Sequence, residues 1–211
     1  MKARRALGSL VAGGMSFGLH SCADKPTMPA QQSIVDGDWL SPCLPGQYGF
    51  AAYQVRLFFR ETHKITREVV SFEDSGCRQP AFVEHLEGRY ELSLAPREDE
   101  YKIDLYFTAF EDLALTEKAQ QNLLDQHYCG LERWQVGALY DVALVTREPC
   151  RSLGVLPIVN WNRVEVKPRA SLRFAAELEH DNQRPDRFVS EDPSLHFQQQ
   201  VEAVLPLVQK D

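Results

Sequence analysis

The stretch Arg89-Tyr90-Glu91-Leu92-Ser93-Leu94-Ala95-Pro96-Arg97-Glu98-Asp99-Glu100-Tyr101-Lys102-Ile103-Asp104-Leu105-Tyr106-Phe107 decides the fold class of this 211-residue chain. Tyr90, Leu92 and Leu94 alternate with Arg89, Glu91 and Ser93. Beyond the Ala95-Pro96-Arg97-Glu98-Asp99 turn, Tyr101, Ile103, Leu105 and Phe107 alternate with Lys102, Asp104 and Tyr106. Successive side chains of a strand point to opposite faces, so a period of two marks a strand with one face in a core and the other toward water. Two such runs around a turn predict an antiparallel hairpin.

The same period recurs outward from this hairpin. Tyr53, Val55, Leu57 and Phe59 alternate with Gln54, Arg56 and Arg60. Further strands are predicted over 66–72, 81–84, 139–146, 155–159, 163–167 and 171–174, with turn residues between them. Eight or more short, evenly spaced strands predict a mainly β domain, an antiparallel barrel or half-open sandwich whose edges must close or be covered. Two segments read as helices. Thr116 is placed to N-cap Glu117 to Tyr128, with Ala119, Leu123 and Leu124 on one face and Gly130 just beyond. Near the end, Asp192 precedes Pro193, and Phe197, Val201, Val204 and Leu205 recur at helical spacing up to Pro206, predicting a C-terminal helix packed on the barrel or its mouth.

The N-terminus carries an address. Lys2, Arg4 and Arg5 precede an uncharged run from Ala6 to Leu19, the length of a signal-peptide apolar region and too short to span a bilayer. Leu19-His20-Ser21-Cys22 closes it as a bacterial lipobox, in which Cys22 is acylated and becomes the first mature residue; type I cleavage after Ala23 is the alternative. Residues 1–21 then form a lipoprotein signal peptide and 22–33 a lipidated N-terminus and tether. Residues 34–190 form the β domain, and 191–211 the C-terminal helix and tail. The expected location is the bacterial cell envelope. Asp24 at the third mature position favours the outer membrane, facing the periplasm or the cell surface.

Removing residues 1–21 takes three of the 23 basic residues and none of the 30 acidic ones, which moves the net charge from −7 to −10. Such a surface repels phosphate backbones, so no nucleic-acid partner is expected. Cys43, Cys77, Cys129 and Cys150 are an even set in an oxidising compartment and allow three pairings. Cys43 with Cys77 and Cys129 with Cys150 is favoured because each links neighbours in sequence. No C-x-x-C and no nearby histidine at ligand spacing supports a metal or redox site instead.

Chemistry is sparse. Gly14-Met15-Ser16-Phe17-Gly18 matches the nucleophile-elbow pattern but lies inside the signal segment, with no strand before it. No zincin, phosphate-loop, dinucleotide or calcium-loop pattern occurs, and His63, His85, His127, His180 and His196 are scattered. Glu98, Asp99 and Glu100 cluster on a turn, where charge is favoured by solvent alone. No catalytic residue, metal or cofactor is expected.

Gly37-Asp38-Trp39 resembles the G-x-W that opens lipocalins. That resemblance implies a Trp39 that closes one end of an up-and-down barrel under a basic residue of the last strand, a part for Arg173 or Arg163. The chain has no T-D-Y-like second motif. It is more similar to small, functionally uncharacterised bacterial lipoproteins with a G-x-W-x-x-x-C start. In that pattern Trp39 is followed by Cys43, Asp74-Ser75-Gly76-Cys77, Cys129-Gly130, Trp134, Gly137, Asp141-Val142, Cys150 and Arg184-Pro185. The resemblance implies a lipocalin-like (calycin-type) fold and the same cysteine pairing, and it carries no activity.

Three functions compete. The first is binding of an apolar or amphipathic small ligand, with Phe58, Phe59, Tyr90, Tyr101, Ile103, Tyr106 and Phe107 as candidate lining residues. The second is a structural or interaction role through the surface of a filled barrel, with an unidentified protein partner. An enzyme is the third, with no motif behind it. An eight-stranded barrel is wide enough to be filled by side chains or to hold one small ligand, so strand count alone does not separate the first two.

Overall fold

The computed structural model describes residues 34–60, 62–95, 99–143, 145, 158–167, 171–175, 196–200 and 206–208. The expected signal segment, Cys22, the expected tether, Cys150 and the expected helix start at Asp192-Pro193 lie outside these residues.

The strands in chain order are β1 (Gly37–Leu40), β2 (Leu44–Pro45), β3 (Ala52–Arg60), β4 (Lys64–Phe72), β5 (Pro80–Leu94), β6 (Glu100–Ala114), β7 (Leu139–Asp141), β8 (Ile158–Lys167), β9 (Ser171–Phe174) and β10 (His196–Gln199). Eight of them close a barrel in the order β1-β10-β9-β8-β6-β5-β4-β3, and β3 returns to β1. Every neighbouring pair is antiparallel. Closure pairs every strand of the ring on both sides, which leaves no long edge to template aggregation. The short strands β2 and β7 extend the wall at one end, pairing with β3 and β6. This is the lipocalin-like meander.

The hairpin read first from the sequence is the longest in the barrel. β5 and β6 run 15 residues each. Their register slips at Gly88, where Glu87 faces Ala109, Gly88 faces Phe107 and Thr108 is the extra residue. Gly88 fits there because a Cβ would overlap the backbone of Tyr106 and Phe107. Bulges of this kind bend a strand and tighten its twist, as closure requires.

The end of the barrel at β1 is plugged. Ile34 to Asp36 crosses it, Val35 is fully buried in the core, and the Trp39 indole N–H donates to the Val35 carbonyl at 2.7 Å. The Tyr90 hydroxyl donates to Asp36 at 2.7 Å, and the Gln199 side-chain amide donates to the Asp36 carbonyl at 3.1 Å.

At the opposite end, helix α1 (Glu117–Asp125) begins as expected, with Thr116 Oγ1 accepting the Ala119 N–H at 3.1 Å. It stops three residues short of Tyr128 because His127 adopts a left-handed conformation, and a 3-10 turn over Tyr128–Gly130 follows.

One predicted element is overturned. His196 to Gln199 is strand β10, not part of a C-terminal helix; Phe197 enters the core and the segment pairs with both β9 and β1. A helical stripe of four apolar residues is outweighed by the backbone hydrogen bonds that closing the ring supplies to two strand edges. The β domain therefore extends past residue 190. The predicted strands at 155–159 and 163–167 are joined, since Ile158 to Lys167 is continuous.

Candidate functional site

Register sorts the wall into two faces. On β3, Tyr53, Val55, Leu57 and Phe59 point inward; on β4 their partners are Ser71, Val69, Arg67 and Ile65. On β5 and β6 the inward partners are Phe82 with Ala114, Glu84 with Asp112, Leu86 with Phe110, Tyr90 with Leu105 and Leu92 with Ile103.

The interior is not uniform. Around the plugged end, Trp39, Leu57, Phe59, Tyr90, Ile103, Leu105, Phe107, Val164, Phe174 and Phe197 have at most 1 % of their surface open to a water molecule, from outside or from any internal void. Side chains with no such surface fill space instead of lining it. Phe59, Tyr90, Ile103 and Phe107 are therefore packed core, with the Phe59 and Tyr90 rings edge to face at 5.0 Å. Tyr101 also points inward, half-buried, opposite Leu94 near that end. Phe58 and Tyr106 sit on the outer face, where the Arg60 guanidinium lies 5.5 Å from the Phe58 ring and Arg89 lies 4.2 Å from that of Tyr106. Their alternation with Phe59 and Phe107 removes them from the interior.

Toward the α1 end, inward-facing Tyr53, Arg67, Val69 and Glu84 are only half-buried, whereas outward-facing Glu68, Val70, Phe72, Val83 and His85 are buried. The four inner side chains keep part of their surface open to water, while the C-terminal Leu207 and Val208 cover the outer face of β4. Above the inner four the rings of Phe50, Phe82, Tyr128, Trp134 and Tyr140 form one cluster: Phe50 stacks on Phe82 at 5.8 Å, Phe82 meets Tyr128 at 5.4 Å, and Trp134 meets Tyr140 at 4.7 Å. Cys129, beside Tyr128, is disulfide-bonded, and Cys150, its expected partner, lies outside the described residues.

The site is polar as well as aromatic. The Tyr128 hydroxyl donates to Glu84 Oε1 at 3.1 Å. Asp112 is fully buried opposite Glu84, and neither of its oxygens has a hydrogen-bond partner. Burial, reinforced by the Glu84 charge, pushes the Asp112 carboxyl well above the usual range. The buried Trp134 indole N–H also has no acceptor. Each such group costs roughly 1–3 kcal/mol when left unpaired. Asn160 and Asn162 are also buried on the inner face; Asn162 Oδ1 accepts the Ala175 N–H at 3.2 Å.

The remaining sequence-predicted residues fall as follows. Cys43 and Cys77 form a disulfide with Cα atoms 5.9 Å apart, joining the β1–β2 segment to the loop before β5. Arg173 does not cover Trp39. It faces outward with its Cα partners His196 and Glu165, its Nε 3.5 Å from Glu165, while Trp39 shares the inner face with Gln199 and Leu57. Arg163 is described only by its backbone, in β8 opposite Lys102. Among the described residues no cluster of metal-ligating side chains occurs.

Glu84, Asp112 and Arg67 were not singled out from the sequence, where Trp134 stood only in the resemblance pattern and Tyr128 only as the end of the predicted helix. The available signal was a charge at a position where the strand period calls for an apolar residue, as at Glu84 between Phe82 and Leu86. No model of a known protein family matches this chain, and neither does the sequence of any curated protein.

Proposed function

We propose that this protein is a cell-envelope lipoprotein, anchored through acyl chains on Cys22, that holds a small amphipathic ligand in the half of its barrel nearest α1. The observation that supports ligand binding is the partial exposure of inward-facing Tyr53, Arg67, Val69 and Glu84, in contrast to the closely packed interior around Trp39 and Phe59. A small-molecule site joins apolar walls to a few placed polar groups, and this interior has both. The ligand's apolar part would lie along Tyr53 and Val69, with its polar end toward Glu84 and Arg67.

The anchor rests on the Leu19-His20-Ser21-Cys22 motif, and the outer-membrane location on Asp24. Two or three acyl chains at about 0.8 kcal/mol per buried methylene make such an anchor effectively stable. Replacing Cys22 by Ser should release a folded protein from membranes; a variant that still fractionates with membrane overturns the anchor.

Native mass spectrometry of that variant, secreted and kept non-reduced, tests the ligand. A co-purifying mass, or uptake of a fluorescent apolar probe, is the expected result. A clean apo mass with no uptake favours the second reading, a filled barrel acting through its surface, which the close packing around Trp39 and Phe59 supports.

A further inference from the structure

The chain enters the barrel at its plugged end, and the longest hairpin projects there. β4 begins at Lys64 opposite Arg89, whereas β5 runs on to Leu94 and from Glu91 pairs with β6 alone among the described residues. The inner face of this overhang is apolar. Leu92 is the Cα partner of Ile103 and Leu94 that of Tyr101, and the Val166 N–H donates to the Asp99 carbonyl at 3.1 Å, which holds β8 beside the hairpin tip. Ile103 is closed into the core, Leu92, Tyr101 and Val166 are half-buried, and Leu94 is 57 % exposed, the most open large apolar side chain among the described residues. A single exposed leucine needs no explanation, but this one ends an apolar face whose burial falls toward the tip.

We propose, building on the Cys22 anchor, that this overhang is the surface the domain lays on a phospholipid bilayer, with Leu94 seated among the headgroups and Leu92, Tyr101 and Val166 behind it. The position of the chain entry decides which end reaches the lipid. Ile34 to Asp36 crosses the plugged end, and Asp36 accepts the Tyr90 hydroxyl at the root of the overhang. Cys22 lies twelve residues before Ile34. That length spans about 40 Å fully extended and about 20 Å as a relaxed coil. A strand of 15 residues, tilted as in an eight-stranded barrel, stands roughly 40 Å tall. Only a tether drawn taut down the wall would bring the α1 end to the bilayer, whereas a relaxed one sets the overhang there.

Charge does not carry this contact. Around the overhang, exposed Lys64 and Arg89 stand against exposed Glu91 and Asp99, and Arg89 is paired with Glu91. With the signs balanced, the attraction is burial of apolar surface, which salt leaves standing, and not recognition of anionic headgroups. The α1 end, where inward-facing Tyr53, Arg67, Val69 and Glu84 are half-buried, then faces away from the bilayer, and a small ligand reaches the barrel from the aqueous side.

Photocrosslinking of the full lipidated chain tests this, with benzoylphenylalanine in place of Leu94 or, at the opposite end, of Leu139, which is 41 % exposed. Both side chains lie at the surface, so neither substitution disturbs the core. Each protein is reconstituted in phosphatidylcholine vesicles, floated with them, illuminated and analysed by mass spectrometry. The expected result is lipid coupled to position 94 about threefold or more above position 139, with the same ratio in about 1 M salt, where exposed charges are screened within roughly 3 Å. Equal coupling at the two positions, or more at 139, overturns the proposal while leaving the anchor standing. Coupling of position 94 to residues 23–33 or to a second copy of the chain, in place of lipid, means that protein covers the overhang, and it overturns the proposal in the same way. Coupling that vanishes in high salt overturns the apolar contact. A chain that does not float with the vesicles overturns the anchor and the proposal with it.

Discussion

Gly88 shows how much of the barrel hangs on one missing carbon. It sits where β5 meets the bulge of β6, and a Cβ there meets backbone, which cannot rotate away as a side chain could. Gly88→Ala should cost about 3 kcal/mol, read as a lower urea midpoint at unchanged slope. His85 illustrates a charge decided by its surroundings. It is buried on the outer wall, with Nδ1 3.4 Å from Glu68 and Nε2 3.1 Å from Glu87. Burial works against the imidazolium, but the hydrogen bonds and charges of Glu68 and Glu87 outweigh it and raise the pKa above 6.5. A raised native pKa contributes stability that is complete below about 6.5, the unfolded value, and is lost as pH rises through the native one. His85→Gln should therefore flatten the fall of Tm above neutral pH, measured by thermal unfolding across pH 6 to 9. At this scale the sequence was least legible. Glu84 read as the end of an ordinary strand and Asp112 lay beyond the predicted one, because which face they occupy follows from their Cα pairing across strands distant in sequence.

At the scale of elements, period-two runs were read correctly and the C-terminal segment was not. Tyr53 to Phe59 and Tyr101 to Phe107 kept their faces because alternation over several residues has one meaning in a half-buried strand. The α1 start was equally local, a hydroxyl three residues before the N–H it caps. His196 to Gln199 became a strand because β1 and β9 needed a partner, a demand invisible in those four residues. Beyond it, the chain docks outside the barrel. Glu68, fully buried, accepts the Leu207 N–H at 3.2 Å and the Val208 N–H at 3.1 Å, and Val208 packs in a cluster with Ala52, Val70, Phe72, Val83 and Leu113. Deleting residues 206–211 should destabilise the domain by roughly 2–4 kcal/mol, since a buried carboxylate loses two donors and apolar wall meets water. Guanidinium unfolding of the truncated chain checks this; an unchanged midpoint would mean that the segment contributes nothing to folding stability.

At the scale of the molecule, closure and cross-linking set the stability. The Cys43–Cys77 bridge spans 34 residues, for which chain entropy predicts roughly 3–4 kcal/mol. Cys43→Ser should lower the unfolding free energy by about that amount in a two-state denaturant titration. By itself the sequence determined that the chain is mainly β and antiparallel, where α1 starts, and that Cys43 and Cys77 were candidates to pair. Each of these is carried by local spacing, because alternation, capping and loop closure act between residues near one another in the chain. Only the tertiary structure decided that β10 closes the ring, that Arg173 faces away from Trp39, that Phe59, Tyr90, Ile103 and Phe107 fill the barrel, and that Glu84 and Asp112 meet under Tyr128. Those outcomes depend on which strands become neighbours and in which register, and a register is set by the simultaneous packing of all eight strands.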